Sequence, residues 1–236
     1  VKGRSTEVED VAVTPRGPLL TPLIDGAGYS ISIRAMWMQA RPIAGFLRVG
    51  RTRTAAEFRV TFEAWPLMSL NLVFADAAGA IGWQLVGETP VRRSSHGIVP
   101  SAAWTGEGEW LEKHVPFGDM PGASDPDTGF LVSANHRPLS ETKGREETGP
   151  FLGVDWADGL RAARIEQRLS EYGRWDVTET GRLQTDLLAV QWEEVRDAVL
   201  SIRPRDAVSR DALALLADWD GVLGADSAAA AVFELL

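Results

Sequence analysis

At 236 residues, with 44% hydrophobic and 24% charged side chains, the chain is long enough to bury one large core or two small ones. A net charge of −9 leaves no basic stripe for nucleic acid, and no apolar run approaches the roughly 18 residues of a membrane span. With no cysteine there is neither a disulfide framework nor thiolate chemistry, which suits periplasm and cytoplasm equally.

The opening VKGRSTEVED has no Met and no signal-peptide pattern, and the closing AAAAVFELL stops on apolar residues without a cap. The chain therefore reads as an internal piece of a longer protein. Glu7–Thr14 alternates Val8, Val11 and Val13 with polar residues, and Tyr29–Met38 sets Ile31, Ile33 and Ala35 on one face; both are expected strands. Over Thr54–Trp65 the period changes. Ala55, Phe58 and Phe62 fall at helical spacing, with Thr54 as N-cap and Glu57 completing a capping box. Leu72, Phe74 and Ile81 flank a turn at Ala77–Ala80 whose Gly79 supplies the positive φ of a hairpin. Trp83, Trp104 and Trp110 recur between Gly and Pro, and FLVSAN, ending at Asn135, is a strand by composition.

Pro138–Pro150 is a polar loop, and the chain then turns helical. Helices are expected over Asp155–Leu169, Thr185–Ile202, Arg210–Trp219 and Ser227–Leu236, with DWDG at Asp218–Gly221 as a stop and turn. The layout is thus 1–138 mainly strands, 139–150 loop and 151–236 mainly helices. Segregated strands and helices indicate an α+β fold rather than alternating βαβ units.

Conventional hydrolase signatures are missing. His96, His114 and His136 stand alone in loops, no His/Cys cluster has zinc-ligand spacing, and there is no G-x-S-x-G elbow. SDPDTG and DWDGVLGAD fall short of a calcium-loop pattern and read as turns. Asn135 differs, because a strand end delivers it just before a Pro-stopped loop. Its carboxamide NH₂ is a donor suited to a developing oxyanion, although from the residues alone capping a turn is the favoured reading. Arg161, Arg164 and Arg168 share one side of their expected helix; a solvated face serves Arg161 equally and is the expected reading for Arg168.

Several motifs in order resemble the penicillin acylase family of N-terminal-nucleophile hydrolases. The stretch NLVFADAAGAIGW matches that family's hairpin, and GIVPSAAWTGEGEW its G-x-x-P-x-x-x-W-x-G-x-x-x-W segment. Pro116-Phe117, the A-N-x-R-P run at Ala134–Pro138 and the W-x-x-x-x-R helix at Trp156–Arg161 follow. TPRGPLL matches an earlier turn, with Arg16 where the family has His. The resemblance implies a layered α/β/β/α fold and amide hydrolysis through an acyl-enzyme on an N-terminal Ser. That Ser is expected upstream, since Val1 has no hydroxyl. It further implies that Asn135 acts in the oxyanion hole and that Arg161 reaches the catalytic centre; Leu70 matches an apolar position of the acyl pocket and serves equally as a core residue. Implied partners are a small N-acyl substrate, the companion (alpha) chain and the upstream beta-chain segment of one precursor, in the periplasm or secreted. No cofactor is required. Calcium is possible in the parent enzyme: Gly97 falls at a backbone calcium-ligand position, but Pro150 replaces a carboxylate of that site. The rival reading is a binding or structural module that keeps the scaffold without chemistry.

Overall fold

The computed structural model describes residues 3, 5, 8, 10–26, 28–41, 43–137, 151–171 and 173–236. The described residues form two compact units, one from Val1–Asp125 with Leu139–Val154, the other from Pro126–Pro138 with Asp155–Leu236. Residues 126–137 go with the helices, because Asn135 is bonded to Ala157 and Arg161. The expected loop 138–150, Val1 and Pro150 lie outside the described residues.

The first unit opens with a two-stranded ribbon, β1 (Val13–Thr14) against β2 (Gly17–Pro18). The strand expected over Glu7–Thr14 shrinks to its last two residues; residues 7 and 9 lie outside the described set. Its apolar side chains have nothing to cover them here, since Val8, Val11 and Val13 are 85%, 62% and 70% exposed. Tyr29–Met38 is not a continuous strand either. Ser32 bridges Leu19, with Ile33 N donating to Pro18 O at 3.1 Å, and Met36–Met38 then curls into a 3-10 turn that buries Met36.

Helix α1 (Ala44–Val49), unexpected from the sequence, precedes α2 (Ala55–Thr61). Thr54 caps α2 by accepting from Glu57 N at 3.1 Å. Glu57 Oε2 accepts from Arg53 N at 2.8 Å, so the box closes one residue before the cap. The helix stops at Thr61, short of Trp65. Phe62 and Trp65 fold back with Val86 into a core flanked by Val49, Phe58, Leu70, Leu72 and Phe117.

The expected hairpin forms as β3 (Leu70–Ala75) and β4 (Ile81–Val86), antiparallel in register from Leu70↔Val86 to Ala75↔Ile81. Gly79 turns it with φ 93°, and Asp76 Oδ1 accepts from Ala78 N and Ala80 N at 2.9 and 3.1 Å. Gly82 is required opposite Phe74, whose ring would lie 2.2 Å from any Cβ there. Strands β5 (Pro90–Arg92) and β6 (Trp110–His114) pair, and β7 (Gly122–Ser124) adds to the other edge of β4. Gln84 is fully buried in β4 but satisfied, donating to Pro121 O at 3.0 Å and accepting from Arg59 Nε at 2.7 Å.

The second unit is helical, with α3 (Leu160–Glu171), α4 (Val177–Gln184), α5 (Val190–Leu200), α6 (Ala207–Ala217) and α7 (Ala228–Phe233). Helix α3 begins five residues later than expected, where Asp158 Oδ1 accepts from Leu160 N at 3.1 Å. The helix expected over Thr185–Ile202 begins only at Val190, because Leu188 bridges Val222 instead. Helix α4 was not foreseen; Asp176 caps it. Trp192, Leu216 and Trp219 form the core with Ala189, Ala229 and Ala230, and the two indole rings lie 5.3 Å apart. DWDG stops α6 and turns, as expected, with Asp220 Oδ1 accepting from Val222 N at 3.0 Å. The antiparallel strands and the helices are segregated along the chain, which makes the fold α+β.

Candidate active site

Phe130–Asn135, expected as a strand, has no ladder partner among the described residues; the backbone pairing nearby is a single parallel bridge from His136 to Ala157. Without a ladder the chain is free to turn, and Asn135 sits in the left-handed region at φ 63°. Asn is among the few residues with a Cβ that tolerate this conformation. Its carbonyl accepts from Ala157 N at 2.9 Å, and the preceding Ala134 is buried.

The structure brings the two principal candidates together. Arg161, in the first turn of α3, donates from Nη2 to Asn135 Oδ1 and to Ala134 O, both at 2.7 Å. A guanidinium has no acceptor, so the amide atom facing it is the oxygen. Nδ2 is then turned away from Arg161, and among the described residues it donates to nothing. The motif Trp156–Arg161 thus acts twice on Asn135, through Ala157 on the backbone and Arg161 on the side chain. A cation in the first turn of a helix opposes the macrodipole. Among the described residues no carboxylate pairs with Arg161 to offset this.

Arg164 and Arg168 are not the solvated face that sequence alone allowed. Arg164 grips Asp186 with both ends of its fork, Nε to Oδ1 at 3.0 Å and Nη2 to Oδ2 at 2.7 Å. Arg168 bonds Glu171 at 2.8 Å and brings Nε within 3.6 Å of Asp186 Oδ2. The Arg164, Arg168 and Asp186 side chains are 17%, 17% and 14% exposed. The hydrogen bond from Arg164 holds the Asp186 carboxyl below its ordinary pKa. Sequence reading passed over Asp186, which follows a helix that was itself unforeseen.

Leu70 and Gly97 belong to the first unit. Leu70 opens β3 opposite Val86 and packs on the Phe62–Trp65–Val86 core. Gly97 lies against the half-buried Arg92, whose Nε would be 2.8 Å from a Cβ at this position. A guanidinium beside Gly97 is the wrong neighbour for a calcium ion, and no cluster of three metal-ligating side chains exists among the described residues. The described residues around Gly97 do not form a calcium site. Arg16 donates to Glu109 Oε1 at 2.8 Å and to Ala103 O at 3.1 Å, so packing accounts for its presence where the family has His. His96 stacks on Phe151 at 4.3 Å, and His114 Nε2 lies 4.0 Å from Glu88. Gly129 N donates to Pro126 O at 2.9 Å, so SDPDTG closes as a turn, as expected.

The family model described as penicillin amidase matches residues 1–236, the whole chain. The chain belongs to the penicillin amidase family. A penicillin amidase relative, the acyl-homoserine lactone acylase QuiP of Pseudomonas syringae pv. tomato, is 31% identical over 257 residues, covering 100% of this chain and 30% of its own. Penicillin acylase 2 proenzyme of Pseudomonas sp. (strain SE83) is 26% identical, covering 99% of this chain and 30% of its own. Among solved structures, the thermostable penicillin G acylase of Alcaligenes faecalis matches with a TM-score of 0.67 and 24% identity. That match covers 94% of this chain and 40% of the other, and establishes the penicillin acylase fold. The chain spans about 30% of the length of these curated penicillin amidase relatives.

Proposed function

We propose that this chain supplies part of the catalytic centre of an amide hydrolase, with Asn135 donating to the oxyanion. The observation that carries the reading is the bond from Arg161 to Asn135 Oδ1, which turns Nδ2 outward as a polarised donor. In the proposed reaction an N-terminal Ser, from a part of the full-length protein outside this chain, attacks the amide carbonyl. Its own α-amine takes the proton; such amines titrate near 7.7–8.0, so no His is needed. Charge develops on the carbonyl oxygen, Asn135 Nδ2 and a backbone N–H stabilise it, and the leaving amine takes the proton. Water then releases the acid from the acyl-enzyme.

Relatives named for penicillin and for acyl-homoserine lactones support small N-acyl compounds as the substrate class. A relative named as a proenzyme supports a self-cleaved precursor, in which this chain meets the companion chain and the upstream segment. The same resemblance supports periplasmic or secreted residence; no helix among the described residues is long and apolar enough to cross a membrane. No step is assigned to calcium.

The test is Asn135→Ala in the full-length enzyme, assayed with a chromogenic N-acyl substrate. A fall in kcat of about 10² to 10³, the usual cost of one oxyanion donor, is expected with a small change in KM. Near wild-type kcat in a folded variant would leave Asn135 as a turn residue.

A further inference from the structure

We infer that Asp186 is a positioning residue for the proposed active site: it fixes the roll and height of α3 so that Arg161 reaches Asn135. This rests on the role proposed for Asn135. On a helix, residues three and seven positions after Arg161 share its side, so Arg161, Arg164 and Arg168 project from one face of α3. The last two converge on the carboxylate of Asp186, at 2.7 and 3.0 Å from Arg164 and 3.6 Å from Arg168. A two-point fork with little exposure fixes orientation as well as distance, which a single contact does not.

Asp186 is itself a fixed post. Its Oδ1 accepts from Leu188 N at 3.1 Å. Leu187 O accepts from Leu223 N at 2.9 Å, and Ala189 N donates to Gly221 O at 2.8 Å. These bonds tie 186–189 to the turn beside Trp219, in the core of the helical unit. A continuous path of bonds thus runs from that core through Asp186 and Arg164 to α3, and through Arg161 to Asn135. Arg164 lies one turn from Arg161, roughly 5 Å along the axis. Any slip at the fork therefore reaches the Arg161–Asn135 bond, whose length leaves no slack at 2.7 Å.

The experiment uses the full-length mature enzyme, a chromogenic N-acyl substrate and Asp186→Asn, which keeps the size and removes the charge. The expected result is a roughly tenfold fall in kcat with KM nearly unchanged, in a protein whose folding transition stays cooperative. In an Asn135→Ala background the same substitution should change kcat little, because its effect runs through Asn135. If Asp186→Asn fails to mature, Arg164→Lys, which keeps the charge but loses the fork, is read by the same split. Unchanged kcat in Asp186→Asn beside an impaired Asn135→Ala overturns the inference and leaves the proposed function standing. Equal losses in both backgrounds mean that Asp186 acts independently of Asn135, and also overturn it. A wild-type kcat in Asn135→Ala removes the proposed function, and the inference with it.

Discussion

Asn135 owes its usefulness to two restraints that reach it from one motif. Ala157 N fixes its carbonyl, and Arg161 fixes its side-chain oxygen, so a residue at φ 63° holds one orientation. The three arginines of α3 consequently divide their work. Arg161 meets no carboxylate among the described residues and points at Asn135, whereas Arg168 is 17% exposed and meets Glu171 and Asp186. Arg161→Ala should lower kcat about 10²-fold, the scale of a misplaced catalytic group, with little change in melting temperature. Arg168→Ala should do the reverse, costing about 1–3 kcal/mol of stability through lost charged hydrogen bonds. Parallel kinetics and thermal melts of the two full-length variants separate them; the same pattern in both would contradict this division.

At the scale of elements, α3 is held by a carboxylate, and that makes its attachment acid-sensitive. The Asp186 carboxyl is depressed in the folded state, chiefly by the hydrogen bond from Arg164. A depressed acid contributes stability that is fully present above its unfolded pKa of about 3.9 and is lost as pH falls through the folded value. The charged groups facing it are Arg164 and Arg168, with Glu171 sharing Arg168. Thermal melts of wild type and Asp186→Asn across the acid range should converge as pH falls below about 4. A constant gap would show that the charge of Asp186 contributes nothing.

Legibility in the sequence varied with how local the cause was. The β3–β4 hairpin was readable because Gly79, Asp76 and the alternating strand residues act within a few positions of one another. The cap at Thr54 was readable for the same reason. Phe130–Asn135 and Glu7–Thr14 were not, because strand composition forms no ladder without a partner and a covered face. Motif resemblance marked Asn135 and Arg161 separately. Their contact, and the Asp186 fork, depend on how α3 meets residues 134–135 and 186, which no local pattern encodes.

At the scale of the molecule, each unit carries its own core, Phe62–Trp65–Val86 in one and Trp192–Leu216–Trp219 in the other. The chain spans about 30% of the curated relatives, and the proposed chemistry draws its nucleophile from the remainder. The 236-residue chain alone should therefore show no turnover of a chromogenic N-acyl substrate, while the full-length mature protein does. Activity of the isolated chain that survives repurification would place the nucleophile within it.

The central claim, that Arg161 serves catalysis by orienting Asn135, is tested most directly by a double-mutant cycle. kcat is measured for full-length wild type, Asn135→Ala, Arg161→Ala and the double variant. The account predicts that the double variant loses little more than Asn135→Ala alone, because the orienting group has nothing left to orient. Losses that multiply to within about twofold, the behaviour of independent sites, would contradict it.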